Sequence, residues 1–257
     1  MRENDIIVTR EGAVLEIRFN RPSKKNAITN AMYGAIADAL EQAEVDAGVR
    51  AIVFTAAGDF FTAGNDIVDF ATIAAGETSQ VRHVGRFLER IILAEKPIVA
   101  GVQGHAVGVG TTMLFHCDLV YVADHARLTT PFVDLGVVPE AASSLTIPAR
   151  LGHARAFAML GLGEALLGPD AVAVGLANAA CAAAEVEPRT RAAAHALTKK
   201  PAQSLKLTKA LMRDRETLLA RMRHESELFT ARLQSPEAIE AFSAFIERRP
   251  PNFDKLS

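Results

Sequence analysis

Through the first half of the chain, short apolar runs alternate with longer amphipathic stretches, and glycine, proline or small polar residues mark the joints. Strands are predicted over Ile6 to Val8 and Ala13 to Phe19, around a Glu11-Gly12 turn. Pro22 ends the second strand, and Ser23 to Ala27 form a polar loop. Thr29 or Asn30 caps a helix to about Ala47, with Met32, Ile36 and Leu40 on one face. Ala51 to Thr55 is apolar without alternation, the pattern of a strand buried on both faces. A short helix from Asp66 to about Ala74, a linker at Gly76 to Ser79 and a helix from Gln80 to Ala94 follow. Ile98 to Val102 is another buried strand. The Gly104 to Gly110 turn then leads into a helix over Thr111 to His116, with strands at Leu119 to Ala123 and Arg127 to Thr129.

Beyond Pro148 the period is helical: Ala154 to Leu160, Pro169 to Val174, Pro188 to Leu197, Ala202 to Gln234 and Pro236 to Glu247. Pro169, Pro188 and Pro236 suit helix first turns. Strand–helix alternation followed by helices gives an α/β class. No repeat of fixed period is visible.

Composition narrows the picture. At 257 residues and 49% hydrophobic, the chain can bury a sizeable core. A net charge of -2 gives no electrostatic case for nucleic acid or an anionic membrane. Cys117 and Cys181 stand in apolar contexts outside any CxxC or His/Cys cluster, so neither a disulfide nor a metal site is expected. Charges stand in the first residues where a signal peptide needs an apolar region, no run suits a bilayer, and Lys255-Leu256-Ser257 is not Ser-Lys-Leu. A soluble cytoplasmic protein is expected.

Two features carry chemistry. Glycines from Gly104 to Gly110 precede a helix, but they form neither GxGxxG nor a P-loop. They either present helix N-terminal N–H groups to an oxyanion or let the helix pack close to a strand. Glu140 follows Pro139 among Leu135, Val137, Val138, Ala141 and Ala142. It is either a first-turn glutamate facing a helix dipole or a desolvated base. His105 and His116 read as packed histidines, and Asp134 as a turn residue before Gly136.

Several motifs in this order resemble the crotonase (enoyl-CoA hydratase/isomerase) superfamily over nearly the whole chain. They are Asn20-Arg21-Pro22 with Asn26-Ala27, Phe61 to Ile67, Lys96-Pro97-Ile98, Gly104 to Asp118, Pro131 to Pro139, Gly175-Leu176-Ala177, and Ala244 to Arg249 with Asn252-Phe253. The resemblance implies a crotonase/ClpP-like spiral of ββα units over residues 1–196 and a C-terminal helical trimerisation region over 197–257. It also implies trimers, often paired as hexamers, and an acyl-CoA thioester substrate, with no cofactor beyond the coenzyme A of that substrate. The oxyanion hole would be the backbone N–H groups of Asn65 and Val109. Ala63, Asn65, Asp66, Ile67 and Val68 would line the CoA site, with Ala63 near the adenine. Lys24, Lys25 and Ala27 would follow the pantetheine and phosphates.

The two glutamates of enoyl-CoA hydratases fall here on Thr112 and Phe132, which cannot activate water as carboxylates do. Pro139-Glu140-Ala141-Ala142-Ser143-Ser144 is instead similar to the Pro-Glu-Gly-Cys-Ser-Ser segment of peroxisomal-type Δ3,Δ2-enoyl-CoA isomerases, where that Glu is the base. Aryl-CoA dehalogenases carry an Asp nucleophile at the equivalent site. The resemblance therefore implies an isomerase using Glu140. The alternatives are another crotonase-fold reaction (hydratase, hydrolase or C–C lyase) and a non-catalytic acyl-CoA-binding protein.

Overall fold

A computed structural model describes residues 4–67, 82–254 and 256. The predicted Asp66 to Ala74 helix lies almost wholly outside these residues, as do the Gly76 to Ser79 linker, Gln80 and Val68.

The chain opens with a hairpin, β1 (Ile6–Glu11) and β2 (Val14–Phe19). After α1 (Asn30–Val45) it runs through β3 (Ala51–Ala56), β4 (Phe60–Thr62) and α2 (Val84–Leu93). Next come β5 (Ile98–Val102), β6 (His105–Val107) and the short α3 (Val109–Thr112), continued by a 3₁₀ turn over Met113–His116. β7 (Leu119–Ala123), β8 (Arg127–Thr129), α4 (Ser143–Leu151) and α5 (His153–Gly161) follow. β9 (Leu166–Leu167), α6 (Gly168–Ala173), β10 (Ala179–Cys181) and α7 (Ala183–Thr198) close the spiral. The chain ends in α8 (Ala202–Leu211), α9 (Arg215–Leu233) and α10 (Pro236–Glu247).

The strands form two sheets, ordered β1-β2-β3-β5-β7-β10 and β4-β6-β8-β9. Each step from β3 to β4, β5 to β6 and β7 to β8 carries the chain from the first sheet to the second, and a helix or loop returns it. This is a structural repeat without a sequence period, because the returning segments differ in length. β3 pairs in parallel with β2 and β5 and is buried throughout, as its unbroken apolar run requires. One face of the large sheet packs on α1 and α2; α7 covers the other through Ala194 against Val14, Val53 and Val99.

Four expectations change. β6 is a strand within the expected Gly104 to Gly110 turn, and β4 is a strand that the sequence pattern does not mark, since three-residue strands show no period. Ala202 to Gln234 is two helices, because the Asp214 side chain accepts the Thr217 N–H at 3.0 Å and starts a new N-terminus. Pro188 lies inside α7 rather than in its first turn; the helix starts at Ala183, directly after β10. Glu140 precedes α4 instead of occupying its first turn, because Ala141 and Ala142 adopt left-handed conformations (φ 62° and 55°). No helix among the described residues is long and apolar enough to cross a membrane.

Candidate active site

Asn26 assembles one wall. Its side chain is fully buried and donates to the Ala57 and Phe60 carbonyls at 2.8 Å while accepting the Arg21 N–H at 2.8 Å. Arg21 in turn donates to Asp66 Oδ2 at 2.6 Å and to the Ala27 carbonyl at 3.0 Å. The segment after β4 is thereby clamped to the Lys24–Ile28 loop. The Ile28 N–H donates to Gly64 O at 2.8 Å, and the Asp66 N–H donates to Ile28 O at 3.0 Å. In such a parallel bridge the intervening Asn65 turns its own N–H to the opposite side.

The second wall comes from β6 and α3. Gly64 (φ +82°) sits so close that an added Cβ would lie 2.8 Å from Val107 O. Gly108 (φ 56°, ψ −120°) then makes a turn closed to L side chains, and Val109 becomes the first residue of α3. Its N–H therefore has no partner within the helix. The two N–H groups named from the resemblance thus lie on abutting segments, each one residue beyond a glycine.

These segments border a cavity of about 1020 Å³. Lys24, Ala27, Ala63, Asn65, Asp66 and Ile67 line it, with Gly108 beside them; Phe132, Val137, Phe229 and Phe242 form an apolar region. Two residues named from the resemblance, Lys25 for CoA contact and Val109 for the oxyanion hole, are not among the lining residues. The Lys25 ammonium stands 4.8 Å over the Phe60 ring. Val109 is fully buried behind Gly108.

Glu140 is 5% exposed and is not among the residues that line the cavity. Burial first, and then the charge of Glu225, raise its pKa to about 8. One of its oxygens, Oε1, has no hydrogen-bond partner among the described residues. The buried Tyr33 hydroxyl donates to Asn65 Oδ1 at 2.5 Å and feels the Glu140 charge, so it joins the oxyanion wall to the carboxylate. Burial, then that charge, hold the phenol well above its usual pKa. His116 is buried against Ala141 O at 2.6 Å, and Arg213 donates to its Nδ1. With Nδ1 accepting, Nε2 carries the proton toward Ala141. Burial and the Arg213 charge push its pKa down to about 3, so the ring is a neutral tether for the turn after Glu140.

Thr112 is buried, its hydroxyl directed to Val109 O, while Phe132 packs with Val137, Leu233 and Phe242. Neither places a carboxylate near the cavity. Among the described residues no group of three His, Cys, Asp or Glu side chains could hold a metal. Tyr33 and Glu225 escaped the sequence reading. Glu225 was detectable: Leu218, Met222, Glu225, Phe229 and Leu233 form one helical stripe, and four of the five are apolar.

A family model described as enoyl-CoA hydratase/isomerase matches residues 9–255. Enoyl-CoA delta isomerase 2 of Rattus norvegicus is 40% identical over 252 residues, which are 95% of this chain and 64% of that protein. The chain thus spans less than two thirds of that relative's length. The structure of Pseudomonas aeruginosa OdaA superposes with a TM-score of 0.91 at 44% identity, covering 96% of this chain and 100% of that one. An enoyl-CoA hydratase/isomerase from Pseudoalteromonas atlantica gives 0.92 at 38% identity, covering 97% and 100%. With the motifs, the two-sheet spiral and these matches in agreement, the chain belongs to the enoyl-CoA hydratase/isomerase family.

Proposed function

We propose that the protein is a Δ3,Δ2-enoyl-CoA isomerase. The observation that carries this reading is the buried carboxylate of Glu140, whose charge reaches the Tyr33 hydroxyl that bonds Asn65, with Thr112 and Phe132 at the positions where the resemblance puts the hydratase glutamates. The name of the rat relative supports it. In this reading the thioester oxygen lies between the Asn65 and Val109 N–H groups. Glu140 takes a proton from C2 of a 3-enoyl-CoA, and the electrons spread through a dienolate to the oxygen. Glu140 then returns the proton at C4, leaving the double bond between C2 and C3. No water is added, so one base suffices. A positioned base contributes ~10²–10⁴ in rate, and one oxyanion donor ~10²–10³.

The coenzyme A would follow Lys24, Ala27 and the Ala63–Ile67 segment, which line the cavity. We place Lys25 outside the direct contacts, because its ammonium is engaged by Phe60. A homotrimer through the 197–257 region fits the exposure of Leu211 and Met212 at the end of α8.

The test offers the protein a trans-3-enoyl-CoA and a trans-2-enoyl-CoA separately, with products identified by mass and chromatography. Conversion of the first to its 2-enoyl isomer without mass gain is expected, with the second left unhydrated. Water addition to the second as the main reaction overturns the reading.

A further inference from the structure

Ala142, the residue before α4, carries no side-chain acceptor, so the first-turn N–H groups of that helix need a partner from elsewhere. Glu225 supplies it. From the middle of α9, 81 residues away in sequence, its Oε1 accepts the Ser144 N–H at 2.9 Å. The Ala142 N–H adds to the stabilisation of the same carboxylate. Glu225 is 4% exposed, and its other oxygen, Oε2, has no partner among the described residues. Burying a carboxylate with one oxygen unpartnered is costly. Glu225 braces the two consecutive left-handed alanines that turn the chain directly after Glu140. The other side of that turn is held by His116, which bonds Ala141 O and is backed by Arg213.

We propose that Glu225 is a positioning residue for Glu140: it caps α4 from a distance, fixes the turn that aims the Glu140 carboxylate, and presents a like charge to it. The proposal rests on the isomerase reading for its catalytic consequence, but not for its electrostatic one. The groups acting on the pair come from several elements. Tyr33 faces Glu140 from α1, and Arg221 faces Glu225 from one turn earlier on α9 while donating to Ser144 Oγ at 3.2 Å. His116 is neutral and contributes its hydrogen bond without charge. A like charge in a dry site disfavours ionisation, so the Glu225 charge acts with burial to hold the Glu140 proton.

The test compares Glu225→Gln, which keeps an acceptor for Ser144 but loses the charge, with Glu225→Ala, which loses both. Infrared titration of the buried carboxyl in the free protein reads the charge effect without turnover, and Glu140→Gln identifies the band. In Glu225→Gln its midpoint is expected to move to lower pH by on the order of one unit. The acid limb of kcat/KM for a 3-enoyl-CoA is expected to move the same way. Glu225→Ala is expected to lower kcat by up to ~10² with little change in KM, through misaiming of the base, and Glu225→Gln to recover most of it. A midpoint unmoved in Glu225→Gln overturns the proposal. So do equal losses of kcat in both variants, which would mark a merely structural role. A wild-type protein silent on enoyl-CoA esters, whose carboxyl midpoint still moves in Glu225→Gln, sinks the isomerase reading and sustains the coupling.

Discussion

Glu140 has to be charged to take a proton, and its burial opposes that charge. With its pKa held at about 8, kcat/KM for isomerisation should rise with pH and level off only above that value. A flat profile from neutral pH downward would show that a different group is the base. The same burial strains the fold. Below pH 4.5, the ordinary value, Glu140 is protonated in both the folded and unfolded chain. Between pH 4.5 and 8 the folded form keeps a proton that the unfolded form has lost, so stability falls as pH rises across this window. Above it the cost is on the order of a few kcal/mol. Glu140→Gln removes the titration. It should therefore unfold at higher temperature than wild type above pH 8 and show no such gain below pH 4.5, as read by thermal melts at matched ionic strength. A variant that gains stability while losing activity is the signature of a group kept for function.

At the scale of elements, the oxyanion wall depends on how closely the segment after β4 approaches β6. Gly64→Ala would force a Cβ to 2.8 Å from Val107 O at a φ of +82°. The left-handed conformation alone costs ~1–2 kcal/mol for an alanine. Relief of the clash would displace the neighbouring Asn65 N–H, and loss of one oxyanion donor costs ~10²–10³ in kcat. Both effects are measurable, by chemical denaturation and by steady-state kinetics. This backbone variant probes what no Asn65 side-chain change can. Much of this scale was readable in advance. The strands at Leu119–Ala123 and Arg127–Thr129 and the helix at Pro236–Glu247 match the hydrophobic pattern to the residue. The three-residue strands β4 and β6 were not, because they are fixed by pairing across the second sheet and not by any local period. The break before α9 was legible in Asp214 and Thr217 but was masked by unbroken helix formers on both sides.

At the scale of the whole molecule, the cavity is shared between the spiral and the C-terminal helices. Phe132 and Val137 meet Leu233, Ala238 and Phe242 in one apolar cluster. Phe242 is 8% exposed, so Phe242→Ala should cost ~3–5 kcal/mol and weaken binding of long acyl-CoA esters more than that of free coenzyme A. Calorimetric titration of both ligands would check the difference. The order of motifs along the chain carried the resemblance that implied the spiral, and those from Phe61 to Ile67 and from Pro131 to Pro139 contribute residues to the cavity lining. What α9 brings to the site stayed hidden. Glu225 meets Ser144 only through the fold, and a glutamate on a charged helix looks like a solvated one until its neighbours in the apolar stripe are counted.

One comparison bears most directly on the claim that Glu140 is the base: turnover of a trans-3-enoyl-CoA by Glu140→Gln and wild type, measured beside their affinity for an unreactive acyl-CoA. The account predicts a loss of at least ~10² in kcat with affinity unchanged. Near-wild-type turnover by the variant would contradict it and remove Glu140 from the mechanism.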